Sequence, residues 1–179
     1  AAGAMYGDNQ AAAQAGLNGA VFQMFNHGTI SAMLFILVGV VYDRAHHRDI
    51  NGFGGLAKQM PIYAGMSMIA FFAGLGLPAL SGFISEAMCF IGGFSVDKLR
   101  LITAIGTLGI LFNAVYFLRA YQRMFMGEPN KKYIDLKDIS LREMGIIIPL
   151  AVLIILFGVY PQPLINIISG TMNTIIGYF

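Results

Sequence analysis

Long runs that are apolar on every side alternate with short polar stretches along this chain. A helix at the surface of a soluble core keeps one polar face, whereas one that is apolar all round is buried or sits in lipid. The first run, 17–42, is long enough at 1.5 Å per residue to cross about 30 Å of hydrocarbon. Its first half is polar for a span, with Gln23, Asn26, His27, Thr29 and Ser31, and its second half is purely apolar. Residues 43–61 read as a loop, with charges, two histidines and the turn-forming pairs NG and GG. Residues 62–94 are too long for one ordinary crossing and short for two. The segment GLGLPALSG, Gly74 to Gly82, interrupts them, because Pro78 removes a helix hydrogen bond and the glycines loosen the chain around it. Two short spans are predicted there, about 62–76 and 80–94. A further span follows at about 101–121, then a polar loop at 123–142 with the turn signal GEPN, then a span at about 144–160 that Pro161 and Pro163 stop. The tail 164–179 mixes apolar residues with Ser, Thr and Asn and is expected in the interface or against a neighbour. Residues 1–16 read as an N-terminal loop or a truncated end, so the chain is expected to be a piece of a longer one. The predicted fold is an all-α integral membrane protein with five transmembrane helices and a Gly/Pro break between the second and third.

Composition agrees with the pattern. Charged residues make up 11% of the chain and hydrophobic ones 57%, with a mean hydropathy of +0.70. A soluble domain averages about 25% charged residues, so a soluble fold is excluded. A net charge of +2 with no basic run interleaved with aromatics argues against a nucleic-acid partner. The single cysteine, Cys89, lies in an apolar run and provides neither a disulfide framework nor a thiolate cluster. If each predicted span crosses, Arg44, Arg48, Lys58, Lys98 and Arg100 face one side. Arg123, Lys131, Lys132, Lys137 and Arg142 face the other. Five against five is a tie, and only the denser packing of the second set favours calling that side cytoplasmic.

One residue stands out for chemistry. Between Lys58 and Asp97 the only charge is Glu86. An ionised carboxylate at the centre of a span costs about 2.5–3.5 kcal/mol on insertion scales, so such a residue is ordinarily retained for use. Low dielectric favours the neutral acid, which lets the group load and release a proton. The plain alternative is a carboxylate at a helix end, in water. His27 is the second candidate. Gln23 and Ser31 lie four residues to either side and share its helix face, and Asn26 is its neighbour. A polar line through an apolar helix must face protein or water, and imidazole passes protons near neutral pH. A proton relay of His27 and Glu86 is expected, with Gln23, Asn26, Ser31, Ser81 and Ser85 in support; a packing histidine bonded to a neighbouring carbonyl is the alternative. His46 and His47, adjacent and without a spaced third ligand, make a weak metal signal, and no metal site is expected.

These residues resemble a known family. The polar span with its HG pair, the loop YDRAHHRD, the segment LPALSGFISE and the closing YPQP occur in the order found in the subunit M family, the antiporter-like membrane subunits of NADH–quinone oxidoreductase, respiratory complex I. The likeness runs from about Gly19 to Pro163. It implies a larger antiporter-like bundle of which these are the C-terminal spans, and proton pumping driven by quinone reduction elsewhere in the complex. Glu86 matches the acidic residue ending the subunit's proton path, and His27 the histidine on its central hydrophilic axis. Ala79 and Ser85 stand where many members have Gly, and Ala87 where Phe is common. The resemblance implies partners among the other membrane subunits of the complex, above all neighbouring antiporter-like subunits, within a bacterial inner membrane. It places NADH, FMN, Fe–S clusters and quinone in the complex, and no cofactor or redox active site in this chain. Cation/proton antiporter subunits and membrane-bound hydrogenase subunits share the SGF–E pattern and are the alternative. A purely structural membrane module is a third reading.

Overall fold

A computed structural model of the chain describes residues 10–178, and the regular elements among them are all helical. The principal helices are α1 (Gln10–Ala45), α2 (Pro61–Gly74), α3 (Ser81–Phe94), α4 (Arg100–Phe125), α5 (Leu141–Val159) and α6 (Gln162–Ile176). Three segments, Gln10–Ala45, Asp97–Phe125 and Leu141–Val159, are long and apolar enough to cross a membrane. α2 and α3 are apolar but have 14 residues each, about 21 Å apiece against the roughly 30 Å of a hydrocarbon core. Within the described residues, 10–16 are already helical, as part of α1, where a loop or a truncated end was expected; residues 1–9 lie outside the described ones. The tail forms α6 and packs on the first half of α1, where Phe22 meets Ile168 and Met172 and the Asn18 amide donates to Ser169 Oγ at 3.0 Å.

α1 is the spine, and its contacts give the register of the two short helices. Gly16 touches Gly92, and Gly19 sits against the backbone of Ser85 and Cys89. Asn26 bonds to Ser81, Ile30 lies beside Gly82, which itself abuts Ala73 O, and Leu37 O accepts from the Tyr63 hydroxyl at 3.0 Å. Ascending along α1, the partners descend from 92 to 63. α2 and α3 therefore lie end to end, antiparallel to α1, with residues 75–80 between them. Gly76 and Ala79 in that connection have φ of +79° and +76°, flanking Pro78. Left-handed backbone suits glycine and strains alanine.

The loops 46–60 and 126–140 meet at one end of the bundle. Gly55 N–H donates to Met126 O at 2.9 Å, the Asn130 amide donates to Gly52 O at 2.8 Å, and His47 Nε2 lies 2.6 Å from the Tyr133 hydroxyl while its ring stacks on Phe53. Arg44 ties the same end together. Its guanidinium pairs with Glu143 through both nitrogens, at 2.8 and 2.7 Å, and also donates to the carbonyls of Lys137 and Asp138. The Asp138 carboxylate accepts from the backbone N–H groups of Ile62 and Tyr63, at 2.8 and 3.0 Å. It thereby caps the free N-terminus of α2 from a loop 75 residues away in sequence. This corrects the expected sidedness. Three independent crossings between the two loops would put them at opposite ends; they are hydrogen-bonded to each other because α2 and α3 lie in series. The cations of 43–61 and 123–142 face the same way.

Candidate functional site

The junction of α2 and α3 leaves main-chain groups without helical partners. Two asparagines from neighbouring helices serve this junction. Asn113 of α4 donates to Gly74 O at 2.8 Å. Asn26 of α1, fully buried, donates to Ser81 O at 2.8 Å and to Ser85 Oγ at 2.9 Å. Ser85 in turn donates to Gln23 Oε1 in a short contact. The seam between α1 and α3 is thus a line Asn26–Ser85–Gln23. Asn26 Oδ1 and Ser81 Oγ in this seam are buried without a protein partner. Buried oxygens of this kind are ordinarily satisfied by water.

Beside the seam lies a cavity of about 220 Å³, lined by Gln23, His27 and Ser31 of α1, Gly74 of α2, Glu86 of α3, and Asn113 and Tyr116 of α4. Its volume accommodates several water molecules. Gln23, His27 and Ser31 reach it together because residues four apart share a helix face. Glu86 is half-buried and well inside α3, five residues after its start. Its carboxylate bends back over the junction: a Cβ on Gly76 would stand 2.5 Å from Glu86 Oε2. His27 is exposed on the rim of the cavity, and no hydrogen bond joins it to Glu86. On the far side of Glu86 a second cavity, of about 420 Å³, is lined by Phe90, Gly106, Gly109, Asn113 and Tyr116. Glu86, Asn113 and Tyr116 line both spaces and form the wall between them.

Of the residues singled out from the sequence, Gln23, His27, Ser31 and Glu86 come together around one polar space. Asn26, Ser81 and Ser85 do not; they are buried in the α1–α3 seam, with relative exposures of 0–1%. Asn113 and Tyr116 went unassigned from the sequence, although Asn113 is the only amide in the apolar run 101–121. Among the described residues no three of His, Cys, Asp and Glu are grouped as a metal would require; His47 is engaged by Tyr133 and Phe53.

Residues 3–112 match the family described as NADH:quinone oxidoreductase/Mrp antiporter, transmembrane. The chain is 40% identical to NADH-quinone oxidoreductase subunit M of Rickettsia conorii over 167 residues, 93% of this chain and 34% of that protein. It is 40% identical to the subunit M of Rhodobacter capsulatus over 163 residues, 90% of this chain and 31% of that protein. In structure it superposes on a chain of respiratory complex I from Thermus thermophilus with bound NADH, with a TM-score of 0.81 and 28% identity, over 93% of this chain and 35% of that one. The chain spans about a third of the length of the curated relatives it matches.

Proposed function

The chain belongs to the NADH:quinone oxidoreductase/Mrp antiporter family of membrane subunits, and from that premise we propose that it is part of a subunit M and carries the last stage of that subunit's proton path. The observation that carries this is the shared cavity: the His27 imidazole and the Glu86 carboxylate line one polar space beside an interrupted helix. Short hydrophobic segments interrupted by Gly and Pro are where transporters of many folds place their ion sites, because freed backbone groups and a side-chain charge can meet there away from lipid.

In this reading α2 and α3 together make one crossing, so the chain supplies four crossings rather than five, with α6 outside the count. Residues 61–94 then span as two half-helices joined inside the bilayer. The sidedness follows. Nine of the eleven Lys and Arg residues lie toward the end where the two loops meet, counting Arg119 in the last turns of α4; Lys98 and Arg100 lie at the other end. That bias assigns the loop end to the cytoplasm.

The residues divide the work as follows. Water in the cavity, ordered by Gln23, Ser31 and the Asn113 amide, delivers a proton. His27 accepts it on one ring nitrogen and releases one from the other. Glu86 takes it up as the neutral acid and releases it when charge on a neighbouring element changes. The second cavity offers the way onward past Asn113 and Tyr116. The driving redox chemistry belongs to other subunits. An Fe–S cluster requires several thiolates, and this chain has one cysteine. The partners are the adjoining antiporter-like subunits of the complex, in the bacterial inner membrane.

The test is Glu86→Gln in the assembled complex, with proton translocation measured per NADH oxidised. Translocation falls while the complex stays assembled; unchanged pumping would sink the assignment. The antiporter reading uses the same carboxylate for Na⁺/H⁺ exchange. It is favoured instead if a pH gradient across vesicles collapses on adding Na⁺ without any electron donor, and if that collapse is lost in Glu86→Gln.

A further inference from the structure

Where α4 leaves the bundle, Tyr116, Arg119, Ala120 and Arg123 follow one another on a single helix face. With Arg48, Asp49, Ile50 and Asn51 of the loop after α1, they line a cleft of about 450 Å³. Three guanidiniums and one carboxylate give the cleft a formal charge of +2. Among the described residues no carboxylate forms an ion pair with Arg48, Arg119 or Arg123, unlike Arg44 with Glu143 and Arg100 with Asp97. Arg123 donates to Asn51 Oδ1 at 3.2 Å, which fixes its fork at the mouth of the cleft. Arg48 also lines a second, apolar groove, of about 360 Å³, formed by Phe35, Val38, Gly39 and Tyr42 on α1, and its guanidinium carbon lies 5.9 Å from the centre of the Tyr42 ring. Gly39 leaves that groove open: nothing lies within 4 Å of where its Cβ would be.

A cationic cleft and an apolar groove therefore meet at one arginine, at the membrane end that carries most of the chain's positive charge. We propose that this pair of spaces is a binding site for one anionic phospholipid. Its phosphate would be held by Arg48, Arg119 and Arg123, and one acyl chain would lie along Phe35, Val38 and Tyr42. Planar guanidiniums grip phosphate oxygens two at a time, and basic pockets between transmembrane helices on the cytoplasmic side are suited to lipid headgroups. A free phosphate would use the cleft but would gain nothing from the groove. The joining of the two spaces at Arg48 is what commits the site to a lipid. This inference does not depend on the proton path.

The experiment uses the full-length subunit in its assembled complex, delipidated and returned to phosphatidylcholine vesicles with or without phosphatidylglycerol. Spin-labelled phosphatidylglycerol reports tightly held lipid by its immobilised fraction. The wild type holds the label. Arg119→Gln with Arg123→Gln weakens retention roughly fivefold per arginine removed, roughly twenty-five-fold for the pair, and Lys at both positions restores part of it. Gly39→Phe fills the groove without touching an arginine and also lowers retention. Both variants must co-purify with the complex as the wild type does, which excludes loss of the fold. Equal retention in the double arginine variant would overturn the proposal. Unchanged retention in Gly39→Phe, or displacement of the label by millimolar inorganic phosphate, would reduce the cleft to a free-anion site and overturn it as well.

Discussion

Gly76→Ala is the sharpest probe of the junction, because it acts on the pose of Glu86 without touching its chemistry. The new Cβ would lie 2.5 Å from Glu86 Oε2, whereas unstrained contacts involving carbon begin near 3.5 Å. The carboxylate must therefore retreat by about 1 Å from its place over the junction. The backbone adds its own cost. Gly76 has φ of +79°, and an L-residue there is less stable by about 1–2 kcal/mol. The neighbour that must give way is the far end of a flexible side chain, so the fold accommodates the change at that cost and the complex still assembles. The prediction is a modest loss of thermal stability together with a clear fall in protons moved per NADH. The double variant Gly76→Ala with Glu86→Gln should pump no worse than Glu86→Gln alone, since the methyl then displaces a group that no longer carries a proton. If Gly76→Ala loses the expected stability yet pumps as the wild type does, the position of the Glu86 carboxylate over the junction has no bearing on transport, and the reasoning fails.

Ala79→Gly removes a strained left-handed alanine, φ +76°, and should stabilise the solubilised complex by about 1 kcal/mol against heat or denaturant. Asp138→Ala strips two N–H partners from the start of α2 and should cost about 1–2 kcal/mol; Asp138→Asn, which can still accept, should cost less in the same melt. Gly92→Leu places a Cβ 2.7 Å from the Gly16 backbone, with no flexible neighbour to yield. It should abolish assembly, read as loss of the subunit from the purified complex, whereas Gly39→Leu, facing open space, should not.

The class of the fold is legible in the sequence because lipid demands runs that are apolar all round. Four residues of the cavity are legible too, because Gln23, His27 and Ser31 repeat every four residues and Glu86 is the lone charge of its segment, whereas Asn113 and Tyr116, which also line it, are not. What pattern cannot supply is the direction of each face. Asn26 and His27 are neighbours in sequence, but successive helix residues project about 100° apart. One turns into the α1–α3 seam and disappears from solvent, and the other lines the cavity rim. The number of crossings is equally hidden. α2 and α3 have the composition of spans, and nothing in their residues says whether they return past each other or continue in line. That depends on long-range contacts. Small residues at 16 and 19 let α3 lie close against the first half of α1, and Tyr63 bonds to Leu37 near its other end. The Asp138 cap of α2 and the Arg44–Glu143 pair lie 75 and 99 residues apart in sequence, beyond any local rule. Once those contacts fix the register, the same ten cations that tied five against five divide eight against two, so the charge bias emerges only after the fold is known.

The junction also explains why a carboxylate there can respond to events elsewhere. An unbroken helix satisfies its own backbone and is indifferent to its neighbours. This one has a carbonyl that depends on Asn113 of α4, while Asn26 of α1 holds the first turn of α3. α4 also lines both cavities that flank Glu86. A small displacement of α4 would lengthen the Asn113–Gly74 bond and shift Tyr116, and with it the wall between the two spaces. Losing a half-buried hydrogen bond of this kind costs about 1 kcal/mol. The asparagines therefore tie the junction beneath the acid to the helices on either side, α1 and α4.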